Sequence, residues 1–187
     1  LVMSGDPEEV MDYYNALLAD HQGGNIRREL QDGGKHQTIS GYGEASIILA
    51  ELLSEQGRVI EVANVGQVVK LHVRVKANSE IPELTLGYMI KDRLGQPVFG
   101  TNTHYLDCSV LALSSGECVD FYFEFATHLG EGRYSVAIAL HASNTHMDKN
   151  YEWRDLATHF DVINNDKAAF VGTAWLPPAV KVDRYDS

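Results

Sequence analysis

The sequence predicts an all-β protein, an immunoglobulin-like antiparallel β-sandwich carrying a short N-terminal helix. Three observations lead there. From about Ile39 onward, apolar residues recur at every second position in segments rich in β-branched and aromatic side chains, the pattern of strands that bury one face and wet the other. Glycine-bearing turns punctuate these segments, leaving about seven to nine short strands, the number a two-sheet sandwich needs. Tyr134 enters its segment directly behind the Gly132-Arg133 step. That is the arrangement of a tyrosine corner, with Val136 where an antibody domain has its second cysteine. The chain has 187 residues, 44% hydrophobic and 22% charged. A domain of this size hides roughly 70% of its unfolded surface and needs no disulfide or metal to hold it together.

Residues 1–36 read differently from the rest. Asp6 is placed to cap a helix whose first position is Pro7, with Glu9 where a capping box needs its carboxylate. Val10, Tyr13, Tyr14, Leu17 and Leu18 then form one apolar stripe at helical spacing, and Gly23-Gly24 ends it. Residues 25–35 are polar and read as a linker. A helix closing a preceding domain and a helix packed on the following sandwich both fit this pattern. The domain division is therefore 1–36 for helix and linker and 37–187 for the sandwich.

Within the sandwich, Val69, Leu71, Val73 and Val75 alternate with Lys70, His72, Arg74 and Lys76, so one face of that strand is apolar and the other basic. Leu84, Leu86, Tyr88 and Ile90 alternate with Thr85, Gly87 and Met89. The turn Arg93-Leu94-Gly95-Gln96 then leads to a returning strand near Val98 to Leu106. Val119, Phe121, Phe123 and Phe125 alternate with Asp120, Tyr122 and Glu124, and Tyr134, Val136, Ile138 and Leu140 alternate with Ser135, Ala137, Ala139 and His141. Two short strands complete the set, near His159 to Ile163 and near Phe170 to Trp175.

Composition excludes several functions. With 15 Lys+Arg against 26 Asp+Glu the formal charge is −11, and no run of Lys or Arg interrupts it, so nucleic acid is not an expected partner. The apolar stretches are short and broken by charges, and the N-terminus has neither the basic nor the apolar part of a secretory signal. A soluble cytosolic domain is expected. Cys108 and Cys118 are too few for a disulfide framework and too far apart for a CxxC site. A hairpin centred on Ser114-Ser115-Gly116 would bring Cys108 nearer Phe121 than Cys118, so they read as separate strand thiols. No GxSxG elbow is present and neither cysteine has a base at a telling spacing. The eight histidines form no HxH or HExxH, His141 and His146 being the nearest pair. No catalytic residue, metal site or cofactor is expected.

Two surfaces remain. The basic row Lys70, His72, Arg74 and Lys76 suggests an anion site, but Asp120 and Glu124 pair with it if their strands are neighbours. The outward face bearing Gly87, Ser135, Ala137 and Ala139 is different. Small side chains on adjacent strands leave a trough, and a trough rimmed by aromatic and polar groups suits a sugar, whose C–H face packs on rings and whose hydroxyls need fixed partners. Its candidate rim is Thr85, Asn102, His104 and His141, with Asp148, Tyr151 and Trp153 from the loop after the Tyr134 strand. Trp153 fits a core position equally well.

Three segments, taken in order, carry a resemblance. They are Gly41-Tyr42-Gly43-Glu44-Ala45-Ser46-Ile47, then Gly87-Tyr88-Met89-Ile90-Lys91-Asp92 with Gly95-Gln96-Pro97-Val98-Phe99-Gly100-Thr101-Asn102-Thr103, and Leu129-Gly130-Glu131-Gly132-Arg133-Tyr134. Together they resemble the C-terminal domain of Wzt-type ATPases, the nucleotide-binding subunits of ABC transporters that export O-antigen polysaccharide. Gly5-Asp6-Pro7-Glu8-Glu9-Val10-Met11-Asp12-Tyr13-Tyr14 is similar to the helix that closes the ATPase domain in that family. The resemblance implies a non-catalytic carbohydrate-binding module with an immunoglobulin-like sandwich, acting at the cytoplasmic face of the bacterial inner membrane. It implies recognition of the capped non-reducing end of undecaprenyl-linked O-antigen polysaccharide, and contact with the transmembrane subunit through the full-length protein. It also implies a homodimer that exchanges C-terminal strands, for which Trp175-Leu176-Pro177-Pro178 through Val182 offers a hinge and a strand. The alternative is a dimerisation or regulatory domain of the ATPase subunit with no glycan ligand. No Walker A loop is present, so ATP chemistry is not expected of this chain.

Overall fold

A computed structural model describes residues 10, 27–30, 36–142 and 150–185. Apart from Val10, which is helical, the expected N-terminal helix lies outside the described residues. Among those described, strands follow one another as β1 (Arg27–Leu30), β2 (His36–Ser40), β3 (Ala45–Ser54), β4 (Val62–Asn64), β5 (Val68–Ala77), β6 (Ile81–Lys91), β7 (Pro97–Asn102), β8 (Val110–Leu113), β9 (Cys118–Ala126), β10 (Gly132–His141) and β11 (Asn150–Ile163). They form two sheets. The larger runs β1-β2-β11-β10-β6-β7, with β8 on β6 and β4 on β11, and the smaller runs β3-β5-β9. All pairings are antiparallel except that of β4 with β11.

The period-two alternation produces this arrangement directly. Val69, Leu71, Val73 and Val75 of β5 are buried, as are Leu84, Leu86 and Ile90 of β6 and Val136, Ile138 and Leu140 of β10, so the inner faces of both sheets meet in one core. Tyr88 joins the sheets through Phe123, ring centroids 4.8 Å apart. At the β3 end the tie is polar. The β3 bulge between Ile47 and Leu49 frees backbone groups that β11 satisfies: Ile47 N donates to Glu152 Oε2 at 3.2 Å, and Arg154 Nη2 donates to Ile47 O at 2.7 Å. Gly41 is required where β2 leaves the sheet, because its φ is +139° and a Cβ there would collide with the Tyr151 carbonyl.

Several sequence expectations need correcting. Tyr151 and Trp153 are not on a loop that precedes a short strand at His159. Asn150–Ile163 is one long strand, β11, which carries both. Its alternation was hidden by two irregularities: Asp155, Leu156 and Ala157 together oppose the single residue Ala137, and Tyr151 is an extra residue between Glu152, opposite Leu140, and Asn150, opposite His141, which reverses the side-chain parity there. Residues 170–175 make no strand, only an isolated bridge between Leu129 and Ala174. The return strand β7 ends at Asn102 rather than Leu106. The turn at Ser114-Ser115-Gly116 does not close a hairpin, since β8 pairs with β6 while β9 pairs with β5. Both cysteines are free and exposed. The stretch read as linker contributes β1, paired with β2.

The tyrosine corner is present. Tyr134 Oη donates to Gly130 O at 2.8 Å in a buried setting, and the ring lies on Phe160 with centroids 5.7 Å apart. Gly130 also donates its N–H to Thr173 O at 3.1 Å, and a Cβ on it would overlap the Gly172 carbonyl. One carbonyl thus fastens the start of β10, and the same residue fastens the chain beyond β11. Replacing Tyr134 by Phe leaves that buried carbonyl without its donor, and should cost about 1–3 kcal/mol. Urea unfolding checks this, and an unchanged midpoint would show that the corner contributes nothing.

Candidate functional site

The outward face of the larger sheet carries the site. The β6–β10 register sets Gly87 opposite Ala139 and Met89 opposite Ala137, while β7 sets Asn102 opposite Gly87 and Gly100 opposite Met89. β11 sets Trp153 opposite Ala139. The result is a cleft of about 330 Å³ with a floor of Gly87, Ala137, Ala139 and Met89, and walls that include Trp153, Thr101, Asn102 and Tyr105. Gly87 is not required by its backbone. A Cβ there would meet Asn102 Cβ at 3.4 Å and His141 Nε2 at 3.8 Å, which is ordinary contact, so its effect is to keep the floor low.

Tyr105 reaches the cleft from a tight loop. Asn102 Oδ1 accepts the Tyr105 N–H at 2.8 Å, and Cys108 N donates to Thr103 O at 2.7 Å. Asp107 takes the left-handed conformation (φ 54°) that the turn needs. Tyr105 stays 70% exposed, an aromatic residue held at the surface beside the cleft. At the far side of Met89 and Ala137, Lys91 and Asp155 form a buried ion pair at 2.6 Å, reached because the β11 bulge turns Asp155 toward β6.

Of the residues named from sequence, Asn102 and Trp153 line this cleft. Thr85 and His141 lie on the same face, opposite one another in the register, but both are buried, and Ser109 Oγ covers Thr85 Oγ1 at 3.1 Å. His104 is half-buried on the 103–109 loop, its ring 6.2 Å from that of Tyr105. Tyr151 belongs to the core and donates its hydroxyl hydrogen to Glu83 O at 3.2 Å, so it has a structural role. Asp148 lies outside the described residues. Tyr105 and Met89 were missed from sequence. Extending β7 to Leu106 put Tyr105 on the wrong face by parity, whereas Asn102 three residues before Tyr105 is the signal of a side-chain-capped turn that would have corrected it.

Three of the four residues of the basic row on the smaller sheet, Lys70, His72 and Arg74, are charge-paired, as the opposing acidic row implied, while Lys76 stands opposite Cys118. Lys70 meets Glu124 at 3.2 Å, and Arg74 donates to both oxygens of Asp120 at 2.7 and 3.0 Å. His72 lies between two carboxylates, Nδ1 2.9 Å from Glu51 and Nε2 2.7 Å from Asp120, and its ring stacks on Tyr122 at 4.5 Å. The hydrogen bond from Arg74, and after it the one from His72, holds the Asp120 carboxyl down at about 2. A phosphate group docking on His72 and Arg74 would therefore have to displace carboxylates already in place. Among the described residues no group of three or more His, Cys, Asp or Glu side chains is arranged to hold a metal ion, and no helix is long and apolar enough to cross a membrane.

His72 gives the fold a testable pH dependence. Partial burial pulls its pKa down, but the hydrogen bonds to Asp120 and then Glu51 raise it more, leaving it above the ordinary 6.5. Only the doubly protonated ring donates to both carboxylates. Because the folded pKa is the higher one, this stabilisation is fully present below the unfolded value and is lost as pH rises through the folded one. The urea midpoint should fall between about pH 6 and about pH 8, and less so in His72→Phe, which keeps the ring stack. Equal slopes in the two proteins would remove His72 as the source.

Comparison with known proteins follows the same lines. A family profile described as the Wzt C-terminal domain matches residues 36–176. No curated protein matches the chain. Among solved structures, the crystal structure of the C-terminal domain of wzt is similar with a TM-score of 0.71 at 19% identity, over 83% of this chain and 92% of that one. The CARDB domain of the PF1109 protein from Pyrococcus furiosus, in complex with di-metal ions, is similar with a TM-score of 0.40 at 14% identity, over 66% of this chain and 97% of that one. A β-glucosidase from Listeria innocua in complex with glucose gives 0.38 at 16% identity, over 69% of this chain and 16% of that one. The last two likenesses are too loose to bear on the site.

Proposed function

The chain belongs to the Wzt C-terminal domain family, and from that premise we propose that it is a non-catalytic carbohydrate-binding module. It recognises the capped non-reducing end of an undecaprenyl-linked O-antigen polysaccharide for export by an ABC transporter, at the cytoplasmic face of the inner membrane. Residues 1–36 join it to the ATPase part of the subunit, through which it reaches the transmembrane subunit.

The observation that carries this reading is the cleft between Trp153 and Tyr105 over a floor of glycine and alanine. Aromatic walls take the C–H faces of a sugar ring, and Asn102 and Thr101 supply polar groups to orient it. Its volume of about 330 Å³ lies at the small end of ligand sites, whose usual range is about 300–1,000 Å³. That size suits an end group better than a run of chain. Trp153→Ala should weaken retention on the source strain's O-polysaccharide by roughly tenfold or more, the scale of an aromatic anchor, while leaving the urea midpoint nearly unchanged. Unchanged retention, or equal retention on glycan stripped of its terminal residue, would overturn end-recognition at this cleft.

The second reading, a dimerisation domain without a ligand, has its own support. Beyond Trp175 the chain carries Leu176, Val180, Val182 and Tyr185 with 77–87% of their surfaces exposed. Trp175 itself is anchored: its N–H donates to His128 O at 3.0 Å and Lys167 Nζ sits 5.3 Å from its ring centre. A tail so apolar beyond a fixed anchor suits exchange with a second copy, in which it pairs as a strand. The two readings are compatible, and the dimer holds for both. Truncation after Trp175 should convert the dimer to a monomer by light scattering, and a truncated protein that stays dimeric would remove the exchanged strand.

A further inference from the structure

The cleft's polar wall presents a donor above an apolar floor, and this combination identifies the kind of sugar. Asn102 is only 6% exposed. Its Oδ1 accepts the Tyr105 N–H, and a backbone N–H can only donate, so this contact settles which way the amide faces. The group left to the cleft is the Nδ2 amino, and no acceptor among the described residues meets it. The same cleft is lined by the side chains of Ala137, Ala139 and Met89, with Ala139 across Gly87 from Asn102 and Met89 and Ala137 one pair further along, surfaces that gain by covering apolar atoms and offer nothing to a hydroxyl. None of the cleft's lining residues is charged, and beyond Met89 and Ala137 the ions Lys91 and Asp155 are paired with one another at 2.6 Å.

We propose that the terminal residue bound here is a neutral sugar bearing an acyl group, an acetamido or acetyl ester. Its carbonyl oxygen accepts a hydrogen bond from Asn102 Nδ2 and its methyl packs on Ala137, Ala139 and Met89. This rests on the cleft being the glycan site and adds to it the chemistry of the end group. A plain hydroxyl at that position satisfies the donor but leaves the floor bare. A carboxylate or phosphate would bring a charge onto apolar surface with no cation of its own.

The test uses the whole chain with 13C-methyl methionine, the Met89 signal being assigned from Met89→Leu. Methyl glycosides of N-acetylglucosamine, N-acetylgalactosamine, glucose, galactose and glucuronic acid compete against the source strain's O-polysaccharide. The acetylated glycosides should shift the Met89 methyl and compete at least about tenfold better than the plain ones, the scale of one hydrogen bond plus a buried methyl. Asn102→Asp keeps an acceptor for the Tyr105 N–H but removes the donor, and Gly87→Ala raises the floor without backbone strain. Each should narrow that preference toward unity. Polysaccharide that shifts Met89 while acetylated and plain glycosides compete equally, or not at all, overturns the acyl assignment and leaves the glycan site standing. So does tighter competition by the glucuronide. Polysaccharide that leaves Met89 and the Trp153 fluorescence unmoved overturns the glycan site itself.

Discussion

The register between β6 and β10 is the constraint on which both core and cleft depend. These two strands place Leu84, Leu86, Ile90, Val136, Ile138 and Leu140 inward and, by the same alternation, set Gly87 beside Ala139 and Met89 beside Ala137 on the other face. A slip of one residue would send the large side chains into the cleft and the small ones into the core. Local contacts hold the pairing at both strands. Asp92 Oδ1 accepts the Leu94 and Gln96 N–H groups at 2.8 and 2.9 Å in the turn after β6, and the Tyr134 hydroxyl fastens the start of β10 to Gly130. Lys91 and Asp155 add a third fixed point across the sheet. A buried ion pair adds little net stability after desolvation, but losing either partner would leave an unpaired charge inside.

The two outward faces solve opposite problems with the same strand geometry. On β5 and β9 most outward residues are long and charged, and cross-strand pairing neutralises Lys70, His72 and Arg74 against Glu124 and Asp120, so that much of the face is solvated and charge-paired. On β6 and β10 the outward residues are too small to cover the sheet, and the volume they leave is walled by Trp153 and by a loop that Asn102 pins in place. Asn102 therefore acts twice: its oxygen sets the position of Tyr105, and its nitrogen remains for a ligand. This links loop conformation to binding chemistry within one side chain.

How far the sequence could be read depended on how regular each strand is. β5, β6, β9 and β10 alternate without interruption and were legible along with the inward and outward identity of each residue, hence the floor of the cleft. The tyrosine corner was legible because it is local. β11 was not, since three residues opposing Ala137 interrupt its pairing, the extra residue Tyr151 reverses its parity near the start, and its charged residues Glu152, Arg154 and Asp155 face partners on β3 and β6 that only the tertiary fold supplies. Through that extra residue Tyr151, assigned to the rim, proved to be core, while Trp153, two positions on, lines the cleft. Tyr105 was lost to a strand end placed four residues too far along.

The account's central claim is that the glycan end is held in this cleft, and a crystal structure of the protein grown with the terminal oligosaccharide of its own polysaccharide would test that most directly. The account predicts the terminal residue between Trp153 and Tyr105, with an acceptor atom in hydrogen-bonding reach of Asn102 Nδ2. Density for the sugar on the Lys70, His72 and Arg74 face, with the cleft holding only water, would contradict it.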